Sequence, residues 1–290
     1  MATTVETWQH RDTITNGIRM HYVIQGEENK GPLVVLLHGF PEFWYSWRHQ
    51  ILFLAEQGYT VVAPDLRGYN DTDKPRTGYD VPNLLRDIVG LIKNLGQESA
   101  IIVGHDWGGA LAWVFAMRYP EMTQRLIVLN APHPWALQRE LRTPKQLKKS
   151  WYIFFFQLPW LPEALLGANH AAAIGRAIHD SAVQKAEFPP DVLQRYQAAM
   201  SKPGALTAAL SYYRTVFRNG GYNGSHEQTI IQAPTLLIWG TQDVALDIAL
   251  THNLEQWVPK IQVRRLPDSG HWVQQERPDA VNNLMQQFLQ

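Results

Sequence analysis

Residues 103–109 read VGHDWGG, continuing the apolar run AIIV and leading into the helical pattern ALAWVFAMR. Three glycines crowd one aspartate where a strand hands over to a helix, so Asp106 stands at the apex of a sharp turn. A GxDxG turn of this kind has the form of a nucleophile elbow, with Gly104 and Gly108 giving room for a strained backbone. Hydrolases often carry serine there; this chain carries aspartate. On its own, the stretch fits an Asp helix cap with helix-start glycines equally well.

The elbow lies within a regular alternation. Strands are expected at 33–37 (LVVLL), 60–64 (TVVAP), 100–104 (AIIVG), 125–130 (RLIVLN), 235–240 (TLLIWG) and 261–266 (IQVRRL), after an Asn-Gly hairpin in TITNGIRMHYVIQG. Helices are expected at 47–57, 82–95, 107–119, 246–257 and 279–289. Strands apolar throughout and separated by helices imply an α/β fold with a mostly parallel sheet, covered on both faces. The alternation lapses between Pro134 and Glu227, a helical and aromatic stretch. It reads as an insertion at the carboxyl edge of the sheet, where open α/β sheets bind ligands. The expected organisation is a core of 1–133 and 228–290 carrying a helical lid of 134–227.

The chain's 290 residues suffice for one large domain with an insertion, and 26 basic residues balance 26 acidic ones. No basic footprint for nucleic acid or an anionic membrane results. With no cysteine, a disulfide frame, a thiolate zinc site and a Cys nucleophile are excluded. No secretory signal pattern and no run of membrane-spanning length is evident, so a soluble, cytoplasmic protein is expected. Neither a metal nor an organic cofactor is called for.

Two further motifs follow strands. WGTQD sets Asp243 just beyond TLLIWG, and DSGHW sets His271 in the loop after IQVRRL. Asp247 and Asp268 are rivals to Asp243, but neither directly follows a strand; Asn130 occupies the other customary place for an acid. Early in the chain, HGFPE follows LVVLL.

Together HGFPEFWYSWR, PDLRGYNDTDKP, GHDWGG, LNAPHP, WGTQD and SGHWVQQERP resemble the α/β-hydrolase-fold epoxide hydrolases over essentially the whole chain. The resemblance implies the chain order nucleophile, acid, histidine, here Asp106, Asp243 and His271. It implies an oxyanion hole from the backbone N–H groups of Phe40 and Trp107. It also implies two ring-opening acids in the lid: Tyr152 in WYIFFFQLP and Tyr213 in SYYR, with Tyr212 the neighbour most easily mistaken for the latter. Small lipophilic epoxides and water are the implied partners.

An aspartate suits this chemistry. Carboxylate attacks saturated carbon and leaves a covalent ester, which a His-Asp pair then hydrolyses. A dehalogenase shares that nucleophile, but many haloalkane dehalogenases place Asn where Phe40 stands, and fluoroacetate dehalogenases place Arg where Trp107 stands. A retired hydrolase fold used only for binding is the third reading, opposed by a candidate for every role.

Overall fold

The computed structural model describes residues 8–219 and 229–290. Strands β1 (Gln9–Thr15) and β2 (Ile18–Gln25) form the hairpin, turning through Asn16 and Gly17 at φ of 44° and 78°, as a two-residue turn requires. Then come β3 (Leu33–Leu37), β4 (Thr60–Pro64), β5 (Ala100–His105), β6 (Thr123–Leu129), β7 (Thr235–Gly240) and β8 (Ile261–Leu266). They build one sheet in the order β1-β2-β4-β3-β5-β6-β7-β8. The β1/β2 and β2/β4 pairings are antiparallel and the rest are parallel.

Every residue of β3 and β5 is buried, because helices cover both faces of these central strands. β8 differs from the uniformly apolar strand expected. It is the sheet edge, and half-buried Ile261 and Val263 alternate with exposed Gln262 and Arg264.

Helices α1 (Arg48–Glu56), α2 (Val81–Asn94) and α3 (Asp106–Arg118) lie between the early strands. Asp80 caps α2, its carboxylate accepting from the Asn83 N–H at 3.1 Å. Helix α3 carries no charge between its two ends and is buried from Trp107 to Met117, as an all-round apolar helix must be.

Between β6 and β7 the described chain is helical: α4 (Pro134–Glu140), α5 (Pro144–Lys149), α6 (Trp151–Phe155), α7 (Leu161–Ser181, broken at Ala168–Ala171), α8 (Pro190–Ser201) and α9 (Ala205–Arg218). The expected lid boundary at 227/228 lies outside the described residues. Hydrogen bonds tie this run to the rest: Tyr212 Oη donates to the Arg67 carbonyl at 2.8 Å, and Tyr196 Oη to Gln275 Oε1 at 2.6 Å. Helices α10 (Val273–Glu276) and α11 (Pro278–Leu289) close the chain.

The helix expected over 246–257 does not form; a single 3-10 turn, Ile248–Thr251, stands there. Its carbonyls are taken by guanidinium groups. Arg139 donates to the carbonyls of Ala249 and His252, Arg265 donates to that of Thr251, and Asn253 turns away at φ 56°. Tertiary partners thus replace the i+4 amides. Among the described residues, no helix is long and apolar enough to cross a membrane.

Candidate active site

Register brings the carboxyl ends of five strands to one rim. Leu37 pairs with Gly104, Gly104 with Val128, Leu129 with Ile238, and Gly240 with Leu266. The loops leaving these ends carry Phe40, Asp106, Asn130, Asp243 and His271 in turn. From β3 the chain crosses to β4 on one side, and from β5 it continues to β6 on the other. A crevice opens between the two loops, and Phe40 and Asp106 flank it.

Asp106 has φ 49°, a left-handed conformation that costs a non-glycine residue about 1 to 3 kcal/mol and persists only where neighbours enforce it. They do so by close approach. A Cβ on Gly108 would strike the Leu37 carbonyl, and one on Gly39 would lie 2.5 Å from the Asp106 Cβ. Within this packing the Phe40 N–H donates to Asp106 Oδ1 at 2.9 Å, and His271 Nε2 lies 3.6 Å from Oδ2. Asp106 opens α3 and Trp107 follows it, so the carboxylate stands at the positive end of the helix dipole.

His271 Nδ1 is 2.7 Å from Asp243 Oδ2. Asp243 also accepts from the Ala245 and Leu246 N–H groups, at 2.7 and 2.9 Å, and from Asn130 Nδ2 at 2.7 Å. Burial works against both carboxylates, yet each is held below the usual range: Asp106 chiefly by His271, with the Phe40 amide, and Asp243 by His271, Asn130 and the Leu246 amide. Burial also disfavours the His271 imidazolium, but Asp243 and Asp106 overcome it and raise its pKa well above 6.5. An anion–cation–anion row is the consequence.

Tyr213 is buried and edge-on to Trp107 and Phe40, at ring-centroid distances of 4.9 and 5.5 Å. The half-buried Tyr152 ring meets Tyr213 edge-on at 6.0 Å. Burial first, and then the Asp106 charge, push the Tyr213 hydroxyl well above its ordinary value of 10, so it keeps its proton. Tyr212 is otherwise engaged, bonded to the Arg67 carbonyl. All seven residues singled out from the sequence therefore lie on this rim or against it.

Residues 32–278 match the family described as alpha/beta hydrolase fold. Human epoxide hydrolase 4 is 39% identical over 94% of this chain and 76% of its own, and the Bacillus subtilis AB hydrolase superfamily protein YfhM is 42% identical over 95% and 96%. The inhibitor-bound epoxide hydrolase of Bacillus megaterium superposes with a TM-score of 0.89 at 36% identity, over 96% of this chain and 99% of that one.

The chain belongs to the α/β-hydrolase-fold epoxide hydrolase family.

Three residues of this family member escaped the sequence reading. Glu42 is buried; its Oε2 accepts from the Gly39 N–H at 2.9 Å and faces His105 Nδ1 at 2.7 Å. His105 Nε2 in turn faces the His271 carbonyl at 2.8 Å. Glu276 is also buried, and it accepts from the Gly270 and Trp272 N–H groups on either side of His271. The same carboxylate accepts from Val183 and Gln184 in the helical run, at 2.9 and 3.0 Å. Their neighbours in HGFPE, GHDWG and SGHWVQQE gave the available signal, since a charged residue inside such a motif is rarely idle. Among the described residues, His21, Asp65 and Asp71 are near enough to share a cation, but His21 and Asp65 already bond each other at 2.7 Å. None of them belongs to the set around Asp106.

Proposed function

We propose that the chain hydrolyses epoxides to vicinal diols, with residues 134–227 as a cap over Asp106. The observation that carries this reading is the pair of edge-on tyrosines, Tyr152 and Tyr213, beside an ionised aspartate. Halide departs as a weak base and needs only N–H donors. An opening oxirane leaves as an alkoxide far more basic than phenol, whose pKa is about 10, and so calls for a hydroxyl donor.

Asp106 Oδ2 attacks one oxirane carbon as the carbon–oxygen bond breaks, and a tyrosine donates its proton to the departing oxygen. An alkyl ester of Asp106 results. Esterification removes the negative charge that helped hold the proton on His271, so the imidazolium gives that proton up, replacing the one the tyrosine spent, and stands neutral, ready to act as a base. His271, oriented by Asp243, then takes a proton from water attacking the Asp106 Cγ. Oxyanion charge falls on Oδ1, which the Phe40 amide already holds, with the Trp107 amide as second donor. As the Cγ–Oδ2 bond breaks, the leaving oxygen takes up the proton left on the attacking water oxygen, so the diol departs while His271 keeps the other proton beside the restored Asp106 carboxylate, and solvent oxygen stays in that carboxylate.

The substrates are small and lipophilic, water is the second reactant, and the cytoplasm is the expected compartment. One turnover of styrene oxide in oxygen-18 water tests the reading. Label should enter Asp106 and the first diol should carry none; label confined to the diol would rule it out. Bromide released from 1-bromobutane without any diol from styrene oxide would favour dehalogenation instead.

A further inference from the structure

Among the described residues, seven of the eleven large apolar side chains left exposed lie on one part of the helical run. Leu147, Trp151, Phe154, Leu158, Trp160 and Leu165 are 44–73% exposed, and Phe217 of α9 joins them through a ring contact with Phe154 at 6.0 Å. Residues 147, 151, 154 and 158 recur at helical spacing. Leu147 lies in α5, Trp151 and Phe154 lie three residues apart on α6 and so share a face, and Leu158 follows just beyond that helix. Tyr152 and Phe156, on the same segment, pack inward on Tyr213.

The zero net charge of the chain, from which no membrane partner is expected, conceals a local imbalance. From residue 141 to 162 there is no Asp or Glu, but there are Arg142, Lys145, Lys148 and Lys149. Lys145 and Lys149 reach Asp247 at 2.8 and 3.8 Å, while Lys148, next to Leu147 and three residues before Trp151, lies exposed. Exposed Trp, Phe and Leu flanked by cations are the make-up of a segment that settles into the headgroup zone of an anionic bilayer.

We propose that this face docks reversibly on anionic lipid surfaces, with Trp151 and Trp160 at headgroup depth. On the activity argued above, a lipophilic epoxide dissolved in the bilayer then reaches the tyrosine pair from the lipid side. Docking itself is read without turnover, so its failure is distinct from failure of that activity.

The test uses the purified full chain and vesicles of phosphatidylcholine with about one third phosphatidylglycerol, which should sediment it. Phosphatidylcholine alone should do so roughly tenfold less, and brominated lipid should quench its tryptophan fluorescence. W151S/W160S should lower partitioning about tenfold while turnover of dissolved epoxide persists; K148E, a milder change safe for folding, should lower it a few-fold. No binding to the anionic vesicles, equal binding to both kinds, or variants that bind as the parent does would each overturn the proposal. So would light scattering that shows a parent dimer and a W151S/W160S monomer, for then a second copy covers the face.

Discussion

His271 Nε2 stands 3.6 Å from Asp106 Oδ2, on the carboxylate oxygen that the Phe40 amide does not hold. The two roles of the carboxylate are thus assigned to separate atoms. On the mechanism proposed above, Oδ2 is the oxygen that meets the incoming carbon and Oδ1, held by the Phe40 amide, is the one where negative charge builds.

Replacing the base should separate the half-reactions. His271→Gln is expected to alkylate and stall, with turnover reduced by roughly 10² to 10⁴. Intact-mass spectrometry after mixing with styrene oxide should show one substrate mass added, on the peptide that contains Asp106; an unmodified protein contradicts this division of labour.

The proton balance gives a pH prediction. In the free enzyme His271 is raised by both aspartates, whereas in the ester only Asp243 still acts on it in this way. Hydrolysis needs the neutral imidazole, so the single-turnover hydrolytic rate should rise with pH and level off at a midpoint below the His271 pKa of the free protein. Proton NMR of the free protein and quenched-flow of the second step supply the two values, and coincident midpoints would refute the switch.

The tyrosines should matter before the ester, not after it. Tyr152→Phe and Tyr213→Phe together are expected to slow ring opening by roughly 10² to 10⁴, the usual scale of general acid catalysis, while each single variant loses less. Burst kinetics with styrene oxide read the step directly. Near-parental alkylation in the double variant would remove both residues from the mechanism.

Glu276 links the His271 loop to the helical run through amide hydrogens alone. Glu276→Gln sets an NH2 group against those donors, and unmet buried bonds of this kind cost about 1 to 3 kcal/mol each. A lowered urea midpoint should accompany a drop of about tenfold in the hydrolytic step, because His271 loses its seat. Chemical denaturation with single-turnover assays measures both; a stability loss with unaltered hydrolysis would make Glu276 a structural strut only.

Acid should weaken the fold through His133. Burial lowers its pKa to about 3, it stacks on Trp257 at 5.0 Å, and its Nδ1 accepts from the Trp135 N–H at the start of α4. A folded pKa below the unfolded 6.5 gives stability that is complete above 6.5 and is lost as pH falls from there toward 3. By linkage the loss at pH 4 is on the order of 3 kcal/mol. His133→Asn keeps a cap acceptor without the titration, so its urea midpoint should vary less between pH 7 and 4 than the parent's.

Asp106, Asp243 and His271 could be singled out because each lies in the loop leaving the carboxyl end of a strand, and β3 to β7 could be drawn from apolar runs, whereas β8 is the mixed edge strand IQVRRL. The sequence also suggested a helix at 246–257, where long-range arginines claim the carbonyls instead. Glu42, His105 and Glu276 stayed hidden for a related reason: Glu42 and His105 pair across 63 residues, and His105 and Glu276 reach backbone groups that only the folded chain brings near. Asn130, passed over as an acid, proves to brace one; its side chain bridges Asp243 and the Gly240 N–H.

Leu37 and Gly104 are register partners in the middle of the sheet, and Phe40 and Asp106, the proposed oxyanion donor and nucleophile, lie in the next turns out from them. No hinge intervenes. The spacing of the reacting pair is therefore inherited from the ladder itself, and no partial unfolding of these strands can leave a weakened catalyst behind. Heating should extinguish turnover and the central sheet in one step, whereas fraying of the β1/β2 hairpin, which holds none of the reacting groups, ought to pass unnoticed in an assay.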